Sequence, residues 1–341
     1  MEEIMQQTAP VTPEHIFNTL TGFHRSAALK TAIDLEVFTK IGGASVSAKA
    51  ISEAVGAAER GIRILCDSLT VMGFLVKDGE NYSLTDVSAQ FLDKKSPAYF
   101  GGAAEFLMSE AQKRGFDDLT QAVVNGGSSV TGDASMDPDS EMWVRFARGM
   151  MPMMYPTAEM TASHLGFETD KAIKVLDIAA GHGIFGIMTA LNYPHAEIFA
   201  ADWANVLTVA NENAAKFGVS DRFKTIPGNA FESKLGSGYD VILLPNFLHH
   251  FDAETCTKFL RKLNGCLADG GKLATVEFVP NDDRVSPPMS AMFSLVMLAA
   301  TPAGDAYTFV ELKEMAEAAG FSRNELISLE PSPSHLIVSE R

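Results

Sequence analysis

The clearest indication of the fold is the segment Val175-Leu-Asp-Ile-Ala-Ala-Gly-His-Gly-Ile-Phe-Gly186. It continues the apolar run Ile173–Ile178, which predicts a buried strand. Gly181, Gly183 and Gly186 follow in the pattern G-x-G-x-x-G. Such a turn lets the backbone come close to a ligand while N–H groups of the next helix point at it. The segment therefore predicts a strand, a glycine turn and a helix that together bind a cofactor.

Two carboxylates near this turn indicate which cofactor it binds. A second apolar run ends at Asp202, 21 residues after Gly181, where a carboxylate accepts hydrogen bonds from both hydroxyls of a ribose. Asp177 lies inside the first strand, so its charge would repel a pyrophosphate and attract a cation. S-adenosylmethionine carries a sulfonium and an ammonium and no phosphate, which favours it over a nicotinamide or flavin dinucleotide. The alternative role for Asp177 is to cap a helix or brace the turn.

Length and charge exclude several classes of partner. A chain of 341 residues predicts two domains. The formal net charge of −16 argues against nucleic acid and anionic membranes as partners, and no apolar run is long enough for a transmembrane helix. The N-terminus lacks the basic and apolar regions of a signal peptide. Cys66, Cys256 and Cys266 have no metal-like spacing, so we expect a cytoplasmic protein with free thiols and no bound metal.

The first hundred residues have the pattern of a small helical domain. Apolar residues recur at helical spacing in Pro13–Leu29, and shorter helical patterns follow in Ser47–Val55 and Glu59–Met72. The turn Asp78-Gly79 between two extended runs then indicates a hairpin. Helices followed by a hairpin are typical of a winged-helix unit.

The charges of this unit argue against DNA binding. A winged helix that reads DNA needs a basic recognition helix. The candidate helix instead carries Arg60 and Arg63 against Glu59 and Asp67. We therefore interpret the unit as a platform for forming a homodimer.

The second half of the chain alternates strands with helices such as Asn205–Phe217 and Ala253–Leu267. This alternation predicts an α/β fold with a doubly wound parallel sheet. The last two strands are joined by a short turn and must be antiparallel, which is unusual for a dinucleotide dehydrogenase. The predicted strands are Ile173–Ile178, Glu197–Ala201, Phe223–Pro227, Tyr239–Leu244, Lys272–Val279, Asn324–Leu329 and His335–Ser339.

Together these features resemble the S-adenosylmethionine-dependent small-molecule O-methyltransferases of the plant caffeate and bacterial polyketide type. The resemblance covers roughly residues 15–341 and rests on the glycine motif, Asp202 and Leu244–Cys256. It implies a class I methyltransferase sheet with an antiparallel C-terminal hairpin, preceded by a winged-helix dimerisation domain. We expect a dimerisation domain at 1–98, a helical linker and substrate-pocket region at 99–165, and a methyltransferase domain at 166–341.

The resemblance also implies a set of cofactor contacts. Gly181 and Gly183 match the residues beside the methionine part, and Asp202 matches the acidic residue on the ribose. A segment usually read Gly-Asp-x-Phe flanks adenine, and here Asn229 replaces its Asp, which keeps donor and acceptor capacity but loses the charge. The expected set is Asp177, Gly181, Gly183, Asp202, Trp203, Gly228, Asn229, Ala230, Phe231 and Asn246.

For catalysis, the resemblance implies a histidine base. His249 aligns with the family's general base, and His250 takes a position often occupied by Asp. Glu277, 28 residues after His249, matches the carboxylate that orients the base. A neutral imidazole, with a pKa near 6.5, is a suitable base for a phenolic proton at neutral pH. A second family carboxylate is missing, because its aligned position falls on or near Phe309, close to Tyr307.

An apolar acceptor pocket is predicted from two stretches rich in Met and Phe. Flexible, polarisable Met side chains are suited to lining a pocket for flat apolar ligands, although core packing is the alternative for both stretches. The expected lining residues are Phe146, Met150, Met154, Met289, Met292, Phe293 and Met297. They favour a flat aromatic or polyene hydroxyl compound as the small-molecule acceptor.

Three other functions stay open at this point. The first is N- or C-methylation on the same fold, including a metal-assisted variant, because of the adjacent pair His249-His250 and the missing second carboxylate. The second is a winged-helix regulator that senses a small ligand. The third is a nicotinamide-dependent dehydrogenase.

Overall fold

Residues 12–128 and 141–341 are described by the computed structural model. The first eleven residues and part of the predicted helical linker lie outside this description. The chain forms two units, the first ending at Gly101 and the second beginning at Gly102.

The first unit is mainly helical and contains one small antiparallel sheet of three strands. The order of its strands is β1-β3-β2, so the hairpin expected around Asp78-Gly79 is present. Its elements are α1 (Glu14–Leu20), α2 (Gly22–Asp34), α3 (Val37–Ile41), β1 (Val46–Ser47), α4 (Ala48–Val55), α5 (Glu59–Val71), β2 (Leu75–Asp78), β3 (Asn81–Leu84) and α6 (Asp86–Phe91).

The helical pattern over Pro13–Leu29 is divided between two helices, α1 and α2. The division falls at Thr21, whose hydroxyl and N–H both donate to the carbonyl oxygen of Phe17, at 2.8 Å and 3.0 Å. A threonine hydroxyl that bonds the preceding turn competes with the regular helix, and Gly22 is a weak helix former.

Helix α5 packs one face into the core of the first unit through Ile62, Cys66 and Leu69. Its acidic residue Asp67 accepts hydrogen bonds from Arg63 at 2.9 Å, from Lys77 at 2.5 Å and from the Tyr82 hydroxyl at 2.8 Å. Arg63 on this helix is therefore paired within the unit.

The second unit places helices around a larger sheet. Its helices are α7 (Ala103–Leu107), α8 (Glu110–Asp117), α9 (Leu119–Asn125), α10 (Glu141–Ser163), α11 (Ile184–Asn192), α12 (Ala204–Lys216), α13 (Ala253–Asn264), α14 (Pro288–Ala300) and α15 (Phe309–Ala318). Its strands are β4 (Lys174–Ile178), β5 (Glu197–Asp202), β6 (Phe223–Pro227), β7 (Tyr239–Pro245), β8 (Leu267–Glu277), β9 (Arg323–Ser328) and β10 (His335–Glu340).

These seven strands form one sheet in the order β6-β5-β4-β7-β8-β10-β9. Strands β4 to β8 pair with one another in parallel, and β10 is antiparallel to both β8 and β9. The predicted α/β fold class, with a doubly wound sheet and an antiparallel C-terminal pair, is confirmed. Each predicted strand is present with small shifts at its ends, the largest at β8, which begins five residues earlier than expected.

The last strand of the chain lies between β8 and β9 rather than at the edge of the sheet. Its register runs from His335 opposite Glu277 to Glu340 opposite Lys272. Strand β8 is therefore paired on both sides, by β7 as far as Val276 and by β10 as far as its last residue, Glu277.

Strand order reverses around β4, because the chain moves outward through β5 and β6 and then returns to β7 on the other side. In open α/β sheets, ligands bind outside the carboxyl ends of the strands at such a reversal. The residues that follow β4, β5 and β7 meet at this position. No helix within residues 12–128 or 141–341 combines the length and apolar character needed to cross a membrane.

Candidate active site

A cavity of about 840 Å³ opens at the carboxyl ends of the parallel strands. The turns after β4, β5, β6 and β7 line one side of it, and helices α10 and α14 line the other. Of the residues expected at the site, those that line the cavity are Gly181, Asp202, Trp203, Gly228, Asn229, Ala230, Phe231, Asn246, His249, Phe146, Met150, Met154, Met289, Met292, Phe293 and Met297. The sequence motifs and the Met- and Phe-rich stretches therefore meet at one place.

The glycine turn after β4 depends on backbone conformations that favour glycine. Gly181 and Gly183 have φ of +57° and +74°, in the left-handed region. Gly186 has a different requirement, because a Cβ there would come within 2.7 Å of the Ile198 side chain. The first two glycines shape the turn, and the third lets helix α11 pack closely on the sheet.

Asp202 closes the turn from the end of β5. Its Oδ2 accepts the N–H of Gly181 at 2.8 Å, and its Oδ1 accepts the N–H of Trp203 at 2.7 Å. Burial raises the pKa of Asp202 to about 6, although both backbone N–H groups oppose that shift. The carboxylate is therefore held in one orientation at the cavity wall, with lone pairs left for a ligand.

Asp177, which lies in β4, and Gly183, which lies in the turn, do not line the cavity. Asp177 is fully buried, and its Oδ2 accepts the N–H of Gly186 at 3.0 Å. Burial, with a smaller contribution from the charge of Asp202, raises its pKa to about 7. The geometry thus places Asp177 in the bracing role that the sequence left as its alternative, beneath the turn rather than against a ligand.

Two asparagines present amide groups to the cavity. Asn229 bonds within its own loop, because its Oδ1 accepts the N–H of Phe231 at 2.9 Å. Asn246 has φ of +53°, and its Nδ2 donates to the Met154 sulfur at 3.7 Å. The Oδ1 of Asn246 is buried and lacks a hydrogen-bond partner among the described residues, so it is an acceptor that a ligand can satisfy.

His249 and Glu277 form a buried pair where the two sides of the cavity meet. The Nδ1 of His249 lies 2.5 Å from Oε2 of Glu277, and both side chains are at most 6% exposed. The Oε1 of Glu277 also accepts the N–H of Phe247 at 3.0 Å and of Leu248 at 2.8 Å. One carboxylate thus fixes both the imidazole and the backbone that carries it. Glu277 does not itself line the cavity.

The segment before α15 packs against the loop that carries His249 and His250. The Tyr307 hydroxyl donates to the carbonyl oxygen of Phe251 at 2.5 Å. Gly304 packs directly on the loop, because a Cβ there would come within 2.2 Å of the His249 carbonyl oxygen. Neither Tyr307 nor Phe309 lines the cavity, and Asp202 is the sole acidic residue among the described residues that do. The arrangement therefore has one carboxylate at the histidine where the family pattern has two.

The apolar side of the cavity combines stacked rings with methionines. The Phe293 ring contacts the His249 ring edge-on at a centroid distance of 4.9 Å and stacks on Phe278 at 4.2 Å. Helix α10 contains Pro152 and Pro156 within its span. Proline lacks an N–H and interrupts helical hydrogen bonding. Helix α10 therefore lacks two of its backbone hydrogen bonds next to the methionines that line the cavity.

Several lining residues were not on the expected list. His182, Phe247 and His250 lie inside the two motifs, and Phe278 directly follows Glu277, so adjacency was a usable signal for them. Others that line the cavity are Phe106, Phe116, Trp143 and Met153. Trp143 and Met153 belong to the apolar cluster around Phe146, whereas Phe106 and Phe116 lie on short helices without a motif.

His182 is neutral and is stacked within the turn. Its Nδ1 accepts the N–H of Ile184 at 3.2 Å, and its ring stacks between those of Phe146 and Phe185. Burial lowers its pKa to about 4. The ring therefore adds aromatic surface, and not positive charge, to the cavity at neutral pH.

The charge of the cavity distinguishes the candidate cofactors. No lysine or arginine occurs among the described residues that line it, whereas the Asp202 carboxyl does. A diphosphate would lack cationic partners there, while a ligand with a sulfonium, an ammonium and a ribose would match Asp202 and the free oxygen of Asn246. The residues present thus fit S-adenosylmethionine. Within 12–128 and 141–341 we also find no group of three or more His, Cys, Asp or Glu arranged to hold a metal ion.

Comparison with known proteins identifies the family. An O-methyltransferase domain model matches residues 126–322, and an O-methyltransferase dimerisation domain model matches residues 17–94. The chain belongs to the O-methyltransferase family. The methyltransferase uses S-adenosylmethionine as its methyl donor and carries a dimerisation domain in its N-terminal part.

Individual relatives agree with this assignment. The methyltransferase is 28% identical over 317 residues to 3-hydroxy-5-methyl-1-naphthoate 3-O-methyltransferase of Streptomyces sahachiroi, covering 91% of this chain and 90% of that protein. It is 47% identical to a Nostoc punctiforme protein solved as a candidate O-methyltransferase, with a TM-score of 0.93 and coverage of 98% and 100%. Human N-acetylserotonin methyltransferase, solved with S-adenosylmethionine, has the same fold, with a TM-score of 0.84, 19% identity and 99% coverage of both chains.

Proposed function

We propose that this O-methyltransferase moves a methyl group to the hydroxyl of a flat, apolar aromatic molecule, with His249 as the general base. The observation that carries the proposal is the buried contact of 2.5 Å between His249 Nδ1 and Glu277 Oε2, beside an apolar cavity. A carboxylate only accepts hydrogen bonds, so Nδ1 carries the proton and Nε2 keeps its lone pair. Glu277 therefore selects the tautomer that a base requires.

The residues in the turns after β4, β5, β6 and β7 hold the methyl donor. S-adenosylmethionine, when bound, supplies a methyl whose bond to sulfur breaks as its bond to the acceptor oxygen forms, which leaves a neutral thioether. Asp202 is fixed by two backbone N–H groups and would accept the ribose hydroxyls. We assign Trp203, Gly228, Asn229, Ala230 and Phe231 to the adenosine part and Gly181 and Asn246 to the methionine part. Asp177 and Gly183 hold the turn in shape.

His249 takes the acceptor proton while Glu277 stays ionised and stabilises the imidazolium. A phenol has a pKa of about 10, so only about 0.1% is ionised at neutral pH. A positioned base takes the proton as the oxygen attacks, so the reaction does not depend on that small ionised fraction. The loop around His249 is anchored by Glu277 and packed on Gly304, so the base has little freedom to move. Much of the rate then comes from alignment of the oxygen with the donor.

The acceptor occupies the side of the cavity formed by α10 and α14. We assign the pocket to Phe146, Met150, Met154, Met289, Met292, Phe293 and Met297. Stacked rings and methionines favour a flat apolar body and exclude water from the transfer. The naphthoate in the name of the Streptomyces sahachiroi relative is a ligand of this class.

The test is methyl transfer from isotopically labelled S-adenosylmethionine to a panel of naphthols and other fused-ring phenols. We expect a methyl ether, identified by mass and by nuclear magnetic resonance. His195→Ala, which removes an exposed histidine outside the cavity, is the matched control and keeps full turnover. Products methylated on carbon or nitrogen, or no product with any phenol, would contradict the proposal.

We also propose that two copies of the chain form a homodimer through the N-terminal unit. Four apolar side chains of α1 and α2 are between 63% and 71% exposed, namely Ile16, Phe17, Leu20 and Phe23. Such a cluster is costly in water and is typical of a surface that another chain covers. Sedimentation should give a dimer for the native chain and a monomer for the double variant Phe17→Ser, Leu20→Ser. Val71→Ser, at a 90% exposed position on α5, should remain dimeric.

A further inference from the structure

A second imidazole, which the mechanism above does not use, lies beside the base. The rings of His249 and His250 have centroids 4.2 Å apart and planes 36° apart, and both line the cavity. The edge of Trp143 packs against His250 with a centroid distance of 5.5 Å. Two imidazoles therefore face one acceptor pocket side by side.

The tautomer of each ring follows from what its Nδ1 contacts. For His249 the contact is the carboxylate of Glu277, so its proton is on Nδ1. For His250 the contact is the carbonyl oxygen of Phe247 at 3.3 Å, which also accepts only. Burial, followed by the charge of His249, lowers the pKa of His250 to about 3, so the ring is neutral and carries its single proton on Nδ1.

Both rings consequently carry an unprotonated Nε2, and the hydrogen bonds found for the two rings in the described part of the chain involve Nδ1 alone. Each of these nitrogens is an acceptor without a donor. A ligand that supplies two donors at this spacing satisfies both nitrogens, whereas a ligand with one donor leaves a polar atom unpaired.

We infer that the methyl acceptor carries two adjacent hydroxyl groups, one donated to Nε2 of His249 and the other to Nε2 of His250. This inference rests on the proposed function, because it places the reacting hydroxyl on His249. Oxygens on neighbouring ring carbons are separated by about 2.8 Å, the length of one hydrogen bond. Two such oxygens can reach two nitrogens on rings whose centroids are 4.2 Å apart. His250 is then a residue that selects and positions the acceptor.

The tautomers also define what the site disfavours. An acceptor with a carbonyl beside the reacting hydroxyl would direct an oxygen lone pair at the Nε2 lone pair of His250. Such a compound also uses its hydroxyl proton internally, so it has no donor to offer. We therefore expect the order diol, then single phenol, then hydroxy ketone.

Titration calorimetry tests this order directly, with the protein saturated by S-adenosylhomocysteine so that no reaction occurs. The probes are three naphthalenes that bear two adjacent hydroxyls, one hydroxyl, or one hydroxyl beside an acetyl group. The diol should bind about 10-fold more tightly than the single phenol, the effect of roughly one added hydrogen bond. The hydroxy ketone should bind more weakly than both.

The variant His250→Phe keeps an aromatic ring against Trp143 and His249 but removes the lone pair. The preference for the diol should fall to within about 3-fold, while affinity for the single phenol stays close to the native value. His195→Phe is the matched control, since it makes the same change at an exposed histidine outside the cavity. It should keep the native preference for the diol.

The outcomes separate this inference from the proposed function. If the single phenol binds and is methylated but the diol binds no better, only the two-hydroxyl inference is overturned. The same holds if His250→Phe keeps the full preference for the diol. If none of the three naphthalenes binds, the acceptor is not a flat phenol, and both proposals are overturned.

Discussion

The two sides of the cavity are built in different ways. On the sheet side, polar atoms are fixed by backbone hydrogen bonds, as with Asp202 between the N–H groups of Gly181 and Trp203. On the helix side, α10 and α14 present methionine and phenylalanine side chains with few polar partners. The sheet side can recognise a ligand through fixed hydrogen bonds, as a cofactor requires. The helix side can recognise a ligand mainly by the shape of its apolar surface.

His249 lies at the boundary between these two sides, and its removal gives the largest expected effect. His249→Ala should lower the turnover number by roughly 100-fold or more, the usual contribution of a general base. Affinity for S-adenosylhomocysteine by calorimetry should be unchanged, because the sheet side stays intact. Steady-state kinetics makes the measurement, with His195→Ala as the control, and native turnover in the variant would remove the assignment.

Removing Asp202 should affect the sheet side alone. Asp202→Ala deletes a carboxylate that holds the turn and would accept the ribose hydroxyls, so we expect roughly 10- to 100-fold weaker binding of S-adenosylhomocysteine. Asp221→Ala, which removes an exposed carboxylate outside the cavity, is the control. Equal affinities in the two variants would show that Asp202 is not a ligand.

A substitution at Gly304 should displace His249, the proposed base, without changing its side chain. In Gly304→Ala the new Cβ would meet the His249 carbonyl oxygen at 2.2 Å, so the loop must shift. Since small misplacements of a reacting group cost rate, we expect roughly a 10-fold lower turnover number with little change in donor affinity. Gly61→Ala adds a Cβ where nothing lies within 4 Å and should keep native kinetics.

The raised pKa of Asp202 makes donor binding depend on pH. Its carboxyl, with a pKa of about 6, is mostly neutral at pH 5 and mostly ionised at pH 7. A cationic donor with ribose hydroxyls prefers the ionised form. Affinity should therefore rise roughly 10-fold from about pH 5 to about pH 7 and then level off.

Stability should change in the opposite direction over the same range. The folded protein holds the protons of Asp177 and Asp202 more tightly than the unfolded chain does, because both carboxyl pKa values are raised. The free energy of unfolding therefore loses this contribution as pH rises from about 4 to about 7. Calorimetry and thermal unfolding across this range measure both effects. An affinity that stays flat from pH 5 to pH 7 would contradict the assignment of Asp202.

The sheet side was predictable from sequence because its signals are local. A buried strand, glycines at φ values that other residues rarely adopt, and a carboxylate at the end of the next strand are each recognisable from a few consecutive residues. Resemblance to the family added His249 and Glu277, and the structure brings them into contact across 28 residues. Asp177 had two readings, because sequence does not tell whether a carboxylate in a strand faces a ligand or the turn below it.

The helix side was only partly predictable, because helical spacing does not distinguish a pocket from a core. The expected Met and Phe residues do line the cavity, but Phe106 and Phe116 come from short helices that carry no motif. The division of the first predicted helix at Thr21 depends on a side-chain hydrogen bond that periodicity does not record. The tautomer of His250 required a three-dimensional contact with the Phe247 carbonyl.

The position of β10 links the far end of the polypeptide to its chemistry. His335 is the register partner of Glu277, so the final strand holds the very tip of the strand that presents this carboxylate. Trimming the chain before this strand would leave β8 with an open edge and would loosen Glu277, which we propose orients His249. Deletions that remove β10 are thus expected to disturb the contact between Glu277 and His249 as well as the sheet.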